Sequence, residues 1–285
     1  MRYRFLRFPG GKDRAVTFSY DDGCQEDIRL TDIFGQYGMK GTFNLNGDCL
    51  RRENFTAEEI DRYYLSRGHE IAVHGLMHRA PGCLRPLEAI REILDCRLEL
   101  ECKTGTIVRG MAYPDSGIHR FENGADYEQI KHYLRELDIV YARTTWEDNC
   151  HFELPQDWYC WKPTAHHNNP DLFDYMDRFF NHGKSERLYG CNRGARLFYL
   201  WGHSYEFPRN DNWDRIERVC EAFAQHDEVW RATNGEIYDY FQAYQSLICS
   251  ADGTLVYNPT LHEVWFEQDE QLYSVKPGEK IRTKA

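Results

Sequence analysis

The chain has 285 residues, a normal length for a single α/β barrel, and its 41% of hydrophobic residues suffice for a sizeable core. Its net charge of -11, from 35 basic and 46 acidic residues, argues against nucleic acid or an anionic membrane as a partner, because both need a basic face. The N-terminus lacks the apolar segment of a signal peptide, and no later stretch approaches the length of a membrane span.

Short apolar runs alternate with amphipathic segments along most of the chain. Strands are predicted at residues 14–20, 41–45, 70–73, 107–113, 140–145, 195–203 and 228–233. Helices are predicted at residues 25–37, 56–65, 86–102, 126–137, 171–180, 213–225 and 236–246. Thr56 and Glu59 form a capping box that starts the second helix. This alternation predicts an α/β fold with parallel strands and helices outside.

The pattern changes after about residue 247. Short strands are predicted at residues 255–257, 263–267, 271–275 and 280–282, separated by turn sequences such as Asp252-Gly253 and Pro277-Gly278. We therefore expect residues 1–247 to form the barrel and residues 248–285 to form a small β extension packed on it.

Two adjacent carboxylates, Asp21 and Asp22, directly follow the first predicted strand. Active sites of α/β barrels lie at the C-terminal ends of the strands, so this position suits catalysis. Two neighbouring acids repel each other unless a cation or a proton relieves them. The alternative is a surface Asp-Asp-Gly turn, a common use of these residues.

Two histidines four residues apart, His74 and His78, follow the third predicted strand in the segment GHEIAVHGLMH. If the chain after His74 curls into a helical turn, both imidazoles reach one metal ion. The alternative is a pair of unrelated loop histidines. His69 lies on the other side of the strand and is interpreted as structural.

A strongly apolar run, residues 198–202, ends on His203. A histidine at this place can titrate near neutral pH and serve as a general acid, although a satisfied core histidine is an equal alternative. The three motifs close three separate predicted strands, and their combination predicts one convergent site.

The segments TFSYDDG, GHEIAVHGLMH and YLWGHS resemble the motifs of the polysaccharide deacetylases of the NodB-homology type, also called carbohydrate esterase family four. GTFNLNG resembles the second strand of that family, and the resemblance covers roughly residues 14–235. It implies a distorted (β/α)₇ barrel, to which the small C-terminal β appendage is added. It also implies a metal-dependent hydrolase that removes an acetyl group, N-acetyl in the first place, from a carbohydrate or another small acetylated substrate.

The resemblance implies a role for each residue of the three motifs. Asp22, His74 and His78 would bind one divalent metal, Asp21 would be the general base and His203 the general acid. Two histidines and one aspartate with open coordination positions suit Zn²⁺ first, and Co²⁺, Ni²⁺ and Fe²⁺ also bind such ligands.

Two positions differ from the family pattern in ways that affect the site. The family has Ser or Thr after the first metal-binding histidine, where the hydroxyl braces the loop; Gly75 stands here, so the loop must be held in another way. The family's arginine motif is matched loosely by residues 109–114, and the resemblance implies that Arg109 forms an ion pair with Asp21.

Four residues are expected to contact the substrate. Tyr113 is implied as a backbone N–H donor to the oxyanion, with Pro114 beside it. Trp201 stands where the family tends to have a leucine lining the acetyl pocket, and a bulkier wall would narrow that pocket or change the acyl preference. His166 lies in the region of the family motif that tunes the catalytic histidine, and it either faces the site or lies on the surface.

Two other functions stay open at this point. One is hydrolysis of a small cyclic amide or ureide, as in the allantoinase-like relatives on the same scaffold. The other is an inactive carbohydrate-binding protein. The ten cysteines are scattered without a C-x-x-C pair, which predicts reduced thiols and a cytoplasmic location.

Overall fold

The frame of the protein is a curled sheet of eight strands, seen in a computed structural model that describes residues 3–47, 55–148, 151–182 and 193–284. The strands are β2 (Arg14–Asp22), β3 (Gly41–Leu45), β4 (Glu70–Val73), β5 (Gly110–Ala112), β6 (Tyr141–Arg143), β7 (Ala165–His166), β8 (Arg196–Gly202) and β9 (Val229–Arg231), while β1 (Arg4–Arg7) belongs to a smaller sheet. Their spatial order is β6-β5-β4-β3-β2-β8-β7, with β9 beside β2. Neighbouring strands of this sheet pair in parallel.

Helices cover the outer face of the sheet. They are α1 (Asp27–Tyr37), α2 (Ala57–Tyr63), α3 (Pro86–Thr104), α4 (Tyr127–Glu136), α5 (Leu172–Asn181), α6 (Glu206–Arg209), α7 (Trp213–Ala224) and α8 (Asn234–Gln245). The predicted capping box of Thr56 and Glu59 is present at the start of α2, which confirms that the sequence marks this helix. None of the described helices is both long enough and apolar enough to cross a membrane.

The two edges of the curled sheet are linked by the backbone of residues 161–166. Trp161 donates its N–H to the carbonyl of Ala142 in β6, and Thr164 donates to Tyr199 in β8. Apolar side chains from β2, β3 and β8 fill the core against the helices. The result is a mostly parallel half-barrel with helices outside, and the predicted fold class is confirmed.

The C-terminal residues form short antiparallel strands: β10 (Ile248–Cys249), β11 (Leu255–Tyr257), β12 (Val264–Gln268), β13 (Gln271–Val275) and β14 (Lys280–Arg282). They make two three-stranded sheets, β10-β11-β14 and β1-β12-β13. The second sheet includes the N-terminal strand β1, which the sequence did not predict. It lies against α8, where Tyr240 donates its hydroxyl to the Arg7 carbonyl and accepts the Trp265 N–H.

Candidate active site

Three side chains that can ligate a metal converge at the C-terminal ends of the parallel strands. The Nε2 atoms of His74 and His78 lie 3.1 Å apart, and they are 3.7 and 3.5 Å from Asp22 Oδ1. His74 Nδ1 lies 3.0 Å from the carbonyl of Ala112, which places the ring proton there and leaves Nε2 free to bind a cation. Two imidazole nitrogens and one carboxylate oxygen, all within 4.8 Å of one another, fit a divalent metal ion.

The loop between the two histidines is a bend rather than the expected helical turn. Gly75 has φ +81°, and a Cβ there would lie 3.1 Å from Glu92 Oε1, so this position favours glycine. Glu92, in α3, accepts the backbone N–H groups of Met77 (2.6 Å) and Arg79 (3.1 Å). The residues on both sides of His78 are thus tied to one carboxylate, which braces the loop where the family uses a hydroxyl.

Asp21 is buried beside this cluster and is held at both of its oxygens. Oδ1 accepts the side-chain N–H of Asn44 at 2.8 Å, and Oδ2 forms an ion pair with the guanidinium of Arg143. Burial alone would raise the pKa of Asp21, but the charges of Arg143 and His74 outweigh it and hold that pKa below its usual value. The carboxylate is therefore ionised at neutral pH.

His203 lies beside Asp22, with its Nε2 3.9 Å from Asp22 Oδ2, whereas His74 and His78 face Oδ1. Its Nδ1 lies 3.5 Å from Glu206 Oε1, in the first turn of α6. Burial lowers the pKa of His203, whereas Glu206, Asp21 and Asp22 raise it, and the net shift is upward. Glu206 was missed in the sequence, although its spacing of three residues from His203 was the available signal.

The chain is similar to known polysaccharide deacetylases. The family model described as polysaccharide deacetylase matches residues 9–130. A structure named "probable Polysaccharide deacetylase from Pseudomonas aeruginosa" is 16% identical, with a TM-score of 0.60, and the match covers 81% of this chain and 92% of that one. The predicted resemblance to the polysaccharide deacetylases is confirmed.

Two further structures show the same fold at low identity. The peptidoglycan deacetylase PdaC from Bacillus subtilis is 16% identical, with a TM-score of 0.50 and coverage of 82% of this chain and 94% of that one. A carbohydrate esterase family four pseudoenzyme from Bacillus anthracis is 13% identical, with a TM-score of 0.51 and coverage of 82% and 68%. A polysaccharide deacetylase fold therefore does not by itself establish activity, and the residues of the site must decide.

The expected ion pair between Arg109 and Asp21 is wrong. Arg109 precedes β5, which begins only at Gly110, so it lies at the N-terminal end of the strands, opposite the metal ligands. Its guanidinium pairs with Asp239 at 2.6 Å and lines a cavity of about 190 Å³ with Glu70. Arg143, the last residue of β6, supplies the ion pair to Asp21 instead.

Tyr113 and Pro114 are also placed differently from the expectation. The backbone N–H of Tyr113 donates to the carbonyl of Arg143 at 2.9 Å, extending the ladder between β5 and β6, so it is not available to an oxyanion. The Tyr113 hydroxyl donates to the Tyr159 carbonyl, and the side chain is fully buried. Pro114 is buried, and its Cγ would lie 3.3 Å from a Cβ at Gly75.

His166 lies beside the site as a member of a second cluster with His167 and Glu206. Glu206 Oε2 lies 3.1 Å from His166 Nε2 and 2.9 Å from His167 Nε2, a spacing that would also allow metal binding. However, His166 Nδ1 accepts the backbone N–H of Asn168 at 3.1 Å. The ring proton of His166 must then sit on Nε2, facing Glu206, while both ring nitrogens of His167 are buried without a hydrogen-bond partner among the described residues.

Trp201 lies beside both His166 and His203. Its indole is 4.7 Å from the His166 ring and 5.8 Å from the His203 ring, and its Nε1 donates to Glu147 Oε1 at 3.3 Å. The side chain is half-buried, so one part of it faces the space beside His203.

Proposed function

We propose that this protein is a metal-dependent hydrolase that removes an acetyl group, N-acetyl in the first place, from a carbohydrate such as an amino-sugar oligomer or polysaccharide. One observation carries the proposal. Five side chains of the required chemistry, from three separate strand ends, lie within ion-pair distance of their neighbours: Asp21, Asp22, His74, His78 and His203. An inactive binding protein would not need a buried, ion-paired carboxylate and a histidine beside such a ligand set.

In the proposed reaction, Asp22, His74 and His78 hold the divalent metal, for which Zn²⁺ is the first candidate and Co²⁺, Ni²⁺ and Fe²⁺ are alternatives. When bound, it would polarise the acetyl carbonyl and lower the pKa of a coordinated water. Asp21 takes the proton of the attacking water, since Asn44 and Arg143 keep its carboxylate ionised and oriented.

His203 gives its proton, at Nε2, to the nitrogen of the departing amino sugar. An amine is a poor leaving group until it is protonated, so this proton is needed at the collapse of the tetrahedral intermediate. Glu206 Oε1, 3.5 Å from Nδ1, stabilises the positive charge of the ring. The roles of His203 and Glu206 thus depend on each other.

The test is acetate release from acetylated amino-sugar oligomers by metal-free and Zn²⁺-loaded protein, with a panel of cyclic ureides run in parallel. Asp21→Asn should lower the rate by about 10²–10⁴-fold while Zn²⁺ stays bound. Asp239→Asn is the matched control, because it removes an ion pair to arginine at the other end of the barrel. Turnover of ureides with no acetate release would instead support the allantoinase-like alternative.

A cytoplasmic location stays a prediction of the sequence. The seven cysteines within the described residues have free thiols, which suits a reducing compartment.

A further inference from the structure

Arg143 holds Asp21 but is itself held by few hydrogen bonds. The residue is fully buried. Beyond its ion pair with Asp21, its side chain makes one long bond, from Nη1 to the Thr144 carbonyl at 3.4 Å. Its Nε has no hydrogen-bond partner among the described residues. A buried guanidinium with five donors normally needs more support than this to keep one orientation.

The missing support comes from an aromatic face. The guanidinium carbon of Arg143 lies 4.4 Å from the centre of the Trp201 indole. A cation over an indole is attracted by the ring, most strongly where water is excluded, as it is around Arg143.

Trp201 is itself fixed on its other sides. Its Nε1–H donates to Glu147 Oε1, and its ring meets the His166 ring edge-on at 4.7 Å. Glu147 Oε1 also accepts the backbone N–H of His166 at 2.8 Å, and Oε2 accepts the side chain of Asn169 at 3.1 Å. The indole therefore presents a rigid platform rather than a mobile pocket wall.

We propose that Trp201 is a positioning residue, which sets the orientation of Arg143 and thereby the position of the Asp21 carboxylate. This inference rests on the proposed function, in which Asp21 is the base. It differs from the expectation that Trp201 acts only as a wall of the acyl pocket. A wall would change the KM and the preference between acyl groups, whereas a support for the base changes kcat for every acyl group alike.

The kinetic test compares Trp201→Phe, which keeps an aromatic face, with Trp201→Leu, which keeps only apolar bulk. We expect the Leu variant to lose about tenfold in kcat at nearly unchanged KM, equally for acetyl and propionyl substrates, and the Phe variant to recover most of it. Phe266→Leu is the control, because it removes the contact of Arg4 with an aromatic ring at 4.9 Å in the C-terminal sheet. A change confined to KM or to acyl preference, or a Phe variant as slow as the Leu variant, overturns the inference.

Crystal structures of the two Trp201 variants show whether Trp201 sets the orientation of Arg143, and this test does not depend on activity. In the Leu variant the guanidinium of Arg143 should leave Asp21 or take several orientations, and in the Phe variant it should stay. An unchanged ion pair in the Leu variant overturns the inference. Absence of acetate release from the unaltered protein on all substrates would instead refute the proposed function, and the crystallographic comparison would still decide the role of Trp201.

Discussion

Replacing Glu92 should weaken metal binding although Glu92 is not a ligand. Its Oε1 accepts the N–H groups of Met77 and Arg79, which flank the proposed ligand His78. Glu92→Leu leaves both donors without this acceptor, and the loop then relaxes from the conformation that presents His78. The metal must restore that conformation when it binds, so the lost interaction appears as lost affinity.

The size of the expected loss of metal affinity follows from the two hydrogen bonds to Glu92. Each unmade bond to a charged acceptor costs about 1.5–3 kcal/mol when it is fully buried, and water recovers part of this because Met77 and Arg79 are exposed. A net loss of about 2 kcal/mol corresponds to roughly 30-fold weaker binding. Glu92→Gln keeps the oxygen but not the charge, so we expect a loss of only about fivefold.

The assay is calorimetric titration of metal-free protein with Zn²⁺. Glu101→Leu is the matched control, since Glu101 lies in the same helix and accepts the N–H of Val108 at 3.0 Å, away from the site. It should lower the stability without changing the affinity for Zn²⁺. Wild-type affinity in Glu92→Leu, or an equal loss in Glu101→Leu, would refute the reasoning.

Three further predictions concern the metal, the acid and a buried carboxyl. Chelation should abolish acetate release and added Zn²⁺ should restore it; full activity in protein shown by elemental analysis to be metal-free would contradict this. His203→Ala should slow acetamide substrates at least about 10²-fold more than aryl acetates, whose leaving groups need no proton, and equal losses would mean that His203 is not the acid. Burial raises the pKa of Asp27 to about 7, although hydrogen bonds from Ser204 and Tyr64 oppose the rise. The folded state therefore binds this proton more tightly than the unfolded state, and the stability of the protein falls as the pH rises from about 4 to 7. Asp27→Asn should remove this loss, so its free energy of unfolding in urea should rise by about 3 kcal/mol relative to the wild type between pH 5 and pH 8. A difference between the two proteins that does not change with pH would show that the carboxyl titrates normally.

The strand ends that carry the site were predictable because each motif comes directly after an apolar run. Buried parallel strands are marked by such runs, and the end of a run sets where its polar residue lies. These runs predict that Asp21, His74 and His203 lie together at the C-terminal ends of the strands. Their roles in catalysis stay predictions.

The residues that support them could not be placed in this way. Arg109 and Arg143 both lie within predicted strands, and only the late start of β5 shows that Arg109 lies at the end of the barrel opposite the metal ligands. Glu92 looked like any other acid of an amphipathic helix, because its partners belong to a loop that it meets only in the folded protein. Short strands such as β7, with two residues, leave no periodic signal at all.

The pairing of β1 with β12 has a consequence for the order in which the chain can fold. Arg4 pairs with Gln268, so β1 stays without its partner until β12 has been synthesised, after all strands of the curled sheet. Until then it is an exposed edge, of the kind that pairs with other chains. Arginines at both ends of β1 discourage such pairing, and the hydrogen bonds between β1 and β12 form only after residue 268 has been synthesised.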